Sequence, residues 1–209
     1  MPRPLRIQSA GYLHHVISKG NDGQIIFKSK DDFSTYISLL AFARKEFPVY
    51  IYNYVLMDNH VHLLLEPIQD GSMSKFMEYV SKEYAKYFNL KYERTGHVFQ
   101  GRFKSLVIQT ERYFFTCSRY IDLNPINANM VSNPAKYPYS GYAHLAQGEG
   151  SLLKLDKHDL YVALGKNDTE RQIAYRTLVL NFQGEEIDFM TKRAGILGDS
   201  DFKDKLRKR

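Results

Sequence analysis

Two histidines separated by one residue, His60 and His62, are the side chains of this sequence best suited to chemistry. Successive side chains of a β-strand point to opposite faces, so both imidazoles project from one face while Val61 points to the other. Neutral imidazole is a common ligand of divalent metal ions, and a third donor must come from elsewhere in the fold. The spacing therefore predicts part of a metal site on a strand. The alternative is two polar residues on the open face of a half-buried strand.

A second group of candidate residues follows helical spacing. Tyr113, Cys117, Tyr120 and Asn124 stand at positions i, i+4, i+7 and i+11, which places them on one helical face. A phenol can act as a nucleophile, and an amide oxygen can bind a hard metal ion, so this face is suited to complete the site begun by the histidines. Because the chain has 16 tyrosines, a packing stripe is the alternative interpretation.

The elements that must position these residues alternate between strands and helices. The β-prone runs at 49–56 and 60–66 predict an antiparallel hairpin that carries the histidines on its second strand. Proline at 125 is expected to stop the helix that starts at Thr110. Further strands are predicted at 12–19 and 105–109, and further helices at 31–46 and 72–90. The pattern favours an α+β fold, a mixed or antiparallel sheet packed with helices.

The character of the chain changes near residue 148. Residues 148–151 have the composition of a linker, and short helices are predicted at 156–164, 169–182 and 185–193. The last segment, 202–209, is strongly basic. We therefore expect a catalytic domain at 1–148 and a small helical, basic C-terminal extension at 149–209.

Composition limits the class of protein. A chain of 209 residues that is 44% hydrophobic is long enough for one well-packed domain plus an appendage. The lone cysteine, Cys117, excludes an internal disulfide framework and favours a reducing, cytoplasmic compartment. No apolar run reaches the roughly 20 residues of a membrane span. The net charge of +6 favours a polyanionic partner such as nucleic acid.

Five motifs occur in an order that resembles the REP-associated tyrosine transposases, single-tyrosine members of the HUH nuclease superfamily. The resemblance covers roughly residues 1–145, and it extends weakly to 195–202. The matching segments are MPRPLRI at 1–7, SKGN at 18–21, LMDNHVHLL at 56–64, GHVFQGRFK at 96–104 and RYIDLNPI at 119–126.

The resemblance implies a ferredoxin-like antiparallel sheet and a role for each candidate residue. His60 and His62 would bind Mg²⁺ or Mn²⁺ with Asn124 as third ligand, and Tyr120 would be the nucleophile. Relatives commonly have proline where this chain has Asp58, so Asp58 or Glu66 is a rival third ligand. Tyr113 is the rival nucleophile on spacing, and the sequence context favours Tyr120.

The reaction implied is cleavage and strand transfer of single-stranded, hairpin-bearing DNA through a 5′-phosphotyrosine, in a nucleoid-associated enzyme. A homodimer is one oligomeric state that the sequence allows. The alternative is a DNA-binding protein that keeps the fold without catalysis. A histidine-triad hydrolase is disfavoured because position 64 is leucine. DNA contacts are expected from Asn21, Lys82, Lys86, Arg102 and Lys104.

Overall fold

A twisted sheet forms the centre of the computed structural model, which describes residues 9–181, 187, 189 and 195–207. The described strands follow the order β2-β3-β1-β4-β5, with β1 at the centre. Neighbouring strands run antiparallel from β2 to β4, and β5 pairs parallel to β4. The strands are β1 (Leu13–Lys19), β2 (Val49–Met57), β3 (His60–Pro67), β4 (Lys104–Ile108) and β5 (Gly195–Leu197).

Helices cover both faces of this sheet. On one face, α1 (Lys30–Glu46) and α2 (Ser72–Lys91) bury an apolar core against the side chains of Val61 and Leu63. On the other face, α3 (Thr110–Asn127) packs against Leu64. The order β-α-β-β-α-β, with β4 and β3 flanking β1, is the ferredoxin-like arrangement. The expected α+β fold is confirmed, and the parallel strand β5 is an addition that the sequence pattern did not predict.

Helix α3 does not stop at Pro125, contrary to the sequence prediction. The helix continues through this proline to Asn127, and Pro125 is buried. Pro125 has no N–H to donate to the carbonyl oxygen of Ile121, so one helical hydrogen bond is lost, while the residues after it keep theirs. Beyond the proline, the N–H of Ala128 donates to the carbonyl oxygen of Asn124 at 2.9 Å. The side chains of Tyr120 and Asn124 are therefore held on one continuous helix.

The C-terminal part of the chain adds four described helices. Tyr175 on α6 is 1% exposed and belongs to the same core as α1 and α2. Helix α6 also packs against α3 and α4. The helix predicted at 185–193 lies outside the described residues except for 187 and 189, and the domain boundary near 148 stays a prediction. The helices are α4 (Tyr142–Gln147), α5 (Asp159–Val162), α6 (Asp168–Leu180) and α7 (Ser200–Arg207).

No described helix combines the length and the apolarity that crossing a bilayer would require.

Candidate functional site

The two histidines lie on the face of the sheet that α3 covers. His60 pairs with Lys19 across β3 and β1, and His62 pairs with Ile17, so all four side chains share this face. His62 is 0% exposed and His60 is half-buried. The interpretation of two polar residues on an open face is therefore wrong, because Leu64, on the same face, packs in the core formed by α3.

Each of the two histidines has one ring nitrogen with a hydrogen-bond partner and one without a partner among the described residues. Nδ1 of His60 lies 2.6 Å from Oδ1 of Asn59, and Nδ1 of His62 lies 2.8 Å from Nε2 of His15. An amide oxygen only accepts hydrogen bonds, so the His60 proton is on Nδ1 and its Nε2 keeps a lone pair. In the described part of the chain, Nε2 of His60 and Nε2 of His62 are both buried without a hydrogen-bond partner.

Burial keeps both imidazoles uncharged. It lowers the pKa of His60 to about 4, with help from the positive charge of Lys19, while the neighbouring Asn124 side chain partly offsets the effect. Burial also holds the pKa of His62 well below its ordinary value, with smaller contributions from His15 and His60. At neutral pH both rings are therefore in the form that binds metal ions.

Helix α3 brings the ring of Tyr120 against the histidine group. The Tyr120 ring centroid lies 5.6 Å from that of His62 and 5.9 Å from that of His15, edge-on in both cases. Tyr113 lies two helical turns earlier, about 10 Å along the axis, and the Arg112 guanidinium lies 5.3 Å from its ring. Of the two candidate nucleophiles, Tyr120 is the one that contacts the histidines.

Asn124 lies one turn beyond Tyr120. Its Nδ2 donates to the carbonyl oxygen of Tyr120 at 2.6 Å, and its side chain lies close enough to His60 to raise the pKa of that ring. This proximity does not amount to a hydrogen bond with Nε2 of His60. The role of Asn124 as third ligand stays a prediction that this position supports.

The rival third ligands are less well placed. Glu66 is four residues from His62 along one strand, about 13 Å away, and it accepts a hydrogen bond from the Tyr52 hydroxyl at 3.1 Å. Asp58 is exposed in the hairpin turn. No group of three or more His, Cys, Asp or Glu side chains is arranged to hold a metal among the residues described. A cation here would therefore depend on the two histidines and a neutral donor such as Asn124.

The residues present fit a divalent cation. Two neutral imidazoles have ring centroids 4.9 Å apart, and each has a buried Nε2 that no other described group occupies. Two or three protein ligands leave coordination positions open for a substrate oxygen or water, as in catalytic rather than structural metal sites.

Arg102 and Lys104, which are predicted to contact DNA, lie at the same end of the sheet as His60. With Lys19 they line a small cleft, which we call the basic cleft and which also contains Ile17, Gln100 and Gly101. Lys104 pairs with Ile17 across β4 and β1, on the histidine face. Three positive charges therefore border the approach to the histidine pair.

Asn21 is exposed where β1 leads into the next turn, and its N–H donates to the carbonyl oxygen of Val98 at 2.9 Å. Gly20 precedes it and donates to the carbonyl oxygen of Asn59 at 2.8 Å. A Cβ atom at position 20 would collide with the carbonyl oxygen of Gln24, which explains the glycine in this motif.

Lys82 and Lys86 lie on α2, in the layer on the other face of the sheet from Tyr120. Lys82 and Arg102 line a cleft of about 600 Å³ between α2 and the segment 96–103. Lys86 is exposed and forms an ion pair with Glu83 at 2.8 Å. Arg102, which borders both clefts, connects this surface with the basic cleft.

Sequence reasoning missed two members of the site, His15 and Phe189. The Phe189 ring lies 5.1 Å from that of Tyr120 and 5.2 Å from that of His15. His15 lies on β1, opposite Leu64 of β3. Alternation along β1 could have placed His15 on one face, but only the pairing of β1 with β3 brings it to His62.

The model of the family described as "Transposase IS200 like" matches residues 8–124. A solved structure described as a REP-associated tyrosine transposase bound to a REP hairpin aligns with a TM-score of 0.60 at 16% identity. The alignment covers 75% of this chain and 93% of the other. No curated protein matched in the sequence search.

The solved structure supports the fold, and the family match extends from before β1 to Asn124 on α3, so it includes both histidines and Tyr120. The chain therefore belongs to the family of IS200-like transposases.

Proposed function

We propose that this chain is a metal-dependent nuclease and strand transferase that cleaves hairpin-bearing single-stranded DNA through a 5′-phosphotyrosine on Tyr120. The observation that carries the proposal is the contact of Tyr120 with the histidine group, its ring 5.6 Å from that of His62. Family membership supports a DNA-cleaving enzyme, and the similar solved structure is bound to a DNA hairpin.

Tyr120 would exchange one phosphodiester bond for another. Its hydroxyl oxygen attacks the scissile phosphorus, the bond from phosphorus to the 3′-oxygen breaks, and that oxygen leaves as a 3′-hydroxyl with a proton. The 5′ end stays linked to Tyr120 as a phosphodiester. A 3′-hydroxyl from another DNA end reverses the reaction, which joins two strands and frees the tyrosine without an external energy source.

His60 and His62 would hold the cation through Nε2, with Asn124 as the third donor. A bound Mg²⁺ or Mn²⁺ supplies Lewis-acid polarisation of the phosphate oxygens and orients the scissile phosphate. The protein's own contribution is rigidity: β3 fixes the two rings and α3 fixes Tyr120. Burial keeps the imidazoles uncharged, so their lone pairs are not lost to protons at neutral pH.

Recognition of DNA would begin at the basic cleft. Arg102 and Lys104, with Lys19, provide charge that neutralises phosphates next to the site, and Asn21 adds a polar side chain at the same end of β1. Lys82 and Lys86 would contact a more distant part of the DNA, because α2 lies on the other face of the sheet. The partner implied is a strand with a folded hairpin, long enough to reach both surfaces.

Formation of a covalent adduct tests the proposal. We expect wild-type protein incubated with Mn²⁺ and a labelled hairpin-bearing strand to give a protein-DNA adduct that survives denaturation. Tyr120→Phe keeps the ring against His62 but lacks the nucleophile, so it should bind DNA and form no adduct. Tyr113→Phe is the matched control on the same helix and should form the adduct.

Two results would contradict the proposal. An adduct formed equally by Tyr120→Phe would move the nucleophile to another residue. Wild-type protein that binds the hairpin strand but yields neither cleavage nor adduct with Mn²⁺ or Mg²⁺ would instead support a DNA-binding protein without catalysis.

A further inference from the structure

We propose that His15 is a positioning residue for the metal centre: its Nε2 accepts the Nδ1–H of His62 and so leaves the His62 Nε2 lone pair for the cation. This inference rests on the proposed function, because it concerns the same site. It gives a role to a residue that makes no contact with metal or DNA in the reaction described above.

The contact between His15 and His62 has the geometry of a strong hydrogen bond. The two nitrogens are 2.8 Å apart, the ring planes differ by 7°, and the ring centroids are 5.0 Å apart. The two nitrogens are much closer together than the two ring centroids, although the rings are nearly parallel. The rings therefore lie side by side and meet at their edges, and they do not stack face to face. Both side chains are buried, at 1% and 0% exposure, so water does not compete for this bond.

The direction of the bond follows from the chemistry of imidazole. A neutral ring has one N–H, so a His62 that gives its Nε2 lone pair to a cation carries its proton on Nδ1. A buried N–H without an acceptor costs about 1–3 kcal/mol. In the described structure, Nε2 of His15 is the hydrogen-bond partner of that Nδ1. Accepting this N–H puts the proton of His15 on its own Nδ1, which is buried without a partner in the described structure, so one buried N–H stays unpaired whichever of the two rings donates. The cation sets the direction: when Nε2 of His62 is its ligand, His15 accepts the remaining N–H of His62 and fixes the orientation of that ring.

Each of the two proposed metal ligands has a hydrogen-bond partner on its Nδ1. Asn59 holds Nδ1 of His60 at 2.6 Å, and His15 holds Nδ1 of His62. In both rings, within the described residues, Nε2 is the nitrogen left without a partner. Metal-binding histidines commonly donate their second N–H to a neighbouring acceptor, which fixes both tautomer and ring orientation.

His14 provides a matched control on the same strand. It is also buried, at 0% exposure, but it points to the other face, where its Nδ1 lies 2.8 Å from Oγ of Ser105. That hydroxyl in turn contacts Met73 of α2. Loss of His14 removes a buried imidazole from β1 without touching the bond to His62.

Mn²⁺ affinity of the full chain tests the proposal, measured by titration and detection of free Mn²⁺ by electron paramagnetic resonance. We expect His15→Leu to weaken binding by about 10–100-fold, the usual effect of losing such a partner. His15→Gln should bind Mn²⁺ nearly as well as wild type, because its Oε1 can accept at the position of Nε2. His14→Leu should also bind close to the wild-type value.

The hydrogen bond itself provides a second readout that a merely structural role would not change. In the Mg²⁺-loaded wild type, ¹⁵N-NMR should find the His62 proton on Nδ1 and a nitrogen–nitrogen coupling across the hydrogen bond to Nε2 of His15, and this measurement is decisive where His15→Leu does not fold. A His62 proton without that coupling, or unchanged Mn²⁺ affinity in folded His15→Leu, would overturn the proposal. Wild-type protein that binds no Mn²⁺ would overturn the metal centre itself, and the function proposed above with it.

Discussion

The basic cleft makes a quantitative prediction about DNA affinity. Replacing Lys19, Arg102 and Lys104 together with glutamine removes the three cations that line it. Each phosphate neutralised on a single strand contributes about 0.7 to the slope of log K against log salt. If each cation meets one phosphate, the slope should become shallower by about 2. Raising the salt from 50 to 200 mM should then weaken DNA binding by the variant roughly 18-fold less than it weakens binding by the wild type.

Fluorescence anisotropy with a labelled hairpin-bearing strand, repeated across this salt range, measures the slope. The control variant replaces Lys45, Lys154 and Lys157 with glutamine and so removes the same charge. These lysines lie near the start of β2, which is at the end of the sheet remote from His60. We expect the control slope to match the wild type. An unchanged slope in the cleft variant, or an equal change in both variants, would refute the assignment of phosphate contacts to the basic cleft.

Three further predictions concern the site and its support. His60→Ala should abolish metal-dependent cleavage, while hairpin affinity measured without metal stays close to wild type; a large loss of affinity would contradict its role as a metal ligand. Asp32 is buried, and although burial alone raises its pKa, hydrogen bonds from Lys91, two tyrosine hydroxyls and the backbone lower it to about 2. Ionised Asp32 should therefore add at most about 2 kcal/mol, before solvent screening, to the free energy of unfolding. This contribution should be complete above pH ~4 and lost as the pH falls through about 2. Urea unfolding of wild type and Asp32→Asn should therefore differ most at neutral pH, and a difference that grows toward pH 2 would contradict this account. Gly20→Ala should lower the free energy of unfolding by at least about 1 kcal/mol because its Cβ meets the Gln24 carbonyl oxygen, and thermal melting equal to wild type would show that the turn relaxes without cost.

Much of the fold follows from local patterns in the sequence. The alternation of residues 60–66 predicts both the strand β3 and the common face of His60 and His62, because side-chain direction in a strand depends only on parity. The spacing of Tyr120 and Asn124 likewise places them on one face of α3. These relations are local, so no knowledge of the tertiary fold is needed to state them.

The partners of these residues depend on tertiary pairing, which local patterns do not contain. His15 meets His62 only because β1 lies next to β3, and Lys19 meets His60 for the same reason. The sequence predicts that Lys82 and Lys86 contact DNA together with Arg102 and Lys104, whereas the sheet separates α2 from α3. Pro125 is predicted to end α3, but the helix continues to Asn127 with the proline buried in it, since proline prevents only its own N–H from bonding and not those of the residues that follow.

The most direct test of the central claim is to identify the residue that carries DNA after cleavage. Wild-type adduct, formed with Mn²⁺ and trimmed with nuclease, would be digested with protease and mapped by mass spectrometry. The arrangement of α3 against His62 predicts a 5′-nucleotide on the peptide that contains Tyr120. A nucleotide on Tyr113, or on any other residue in a protein that cleaves DNA, would contradict the account.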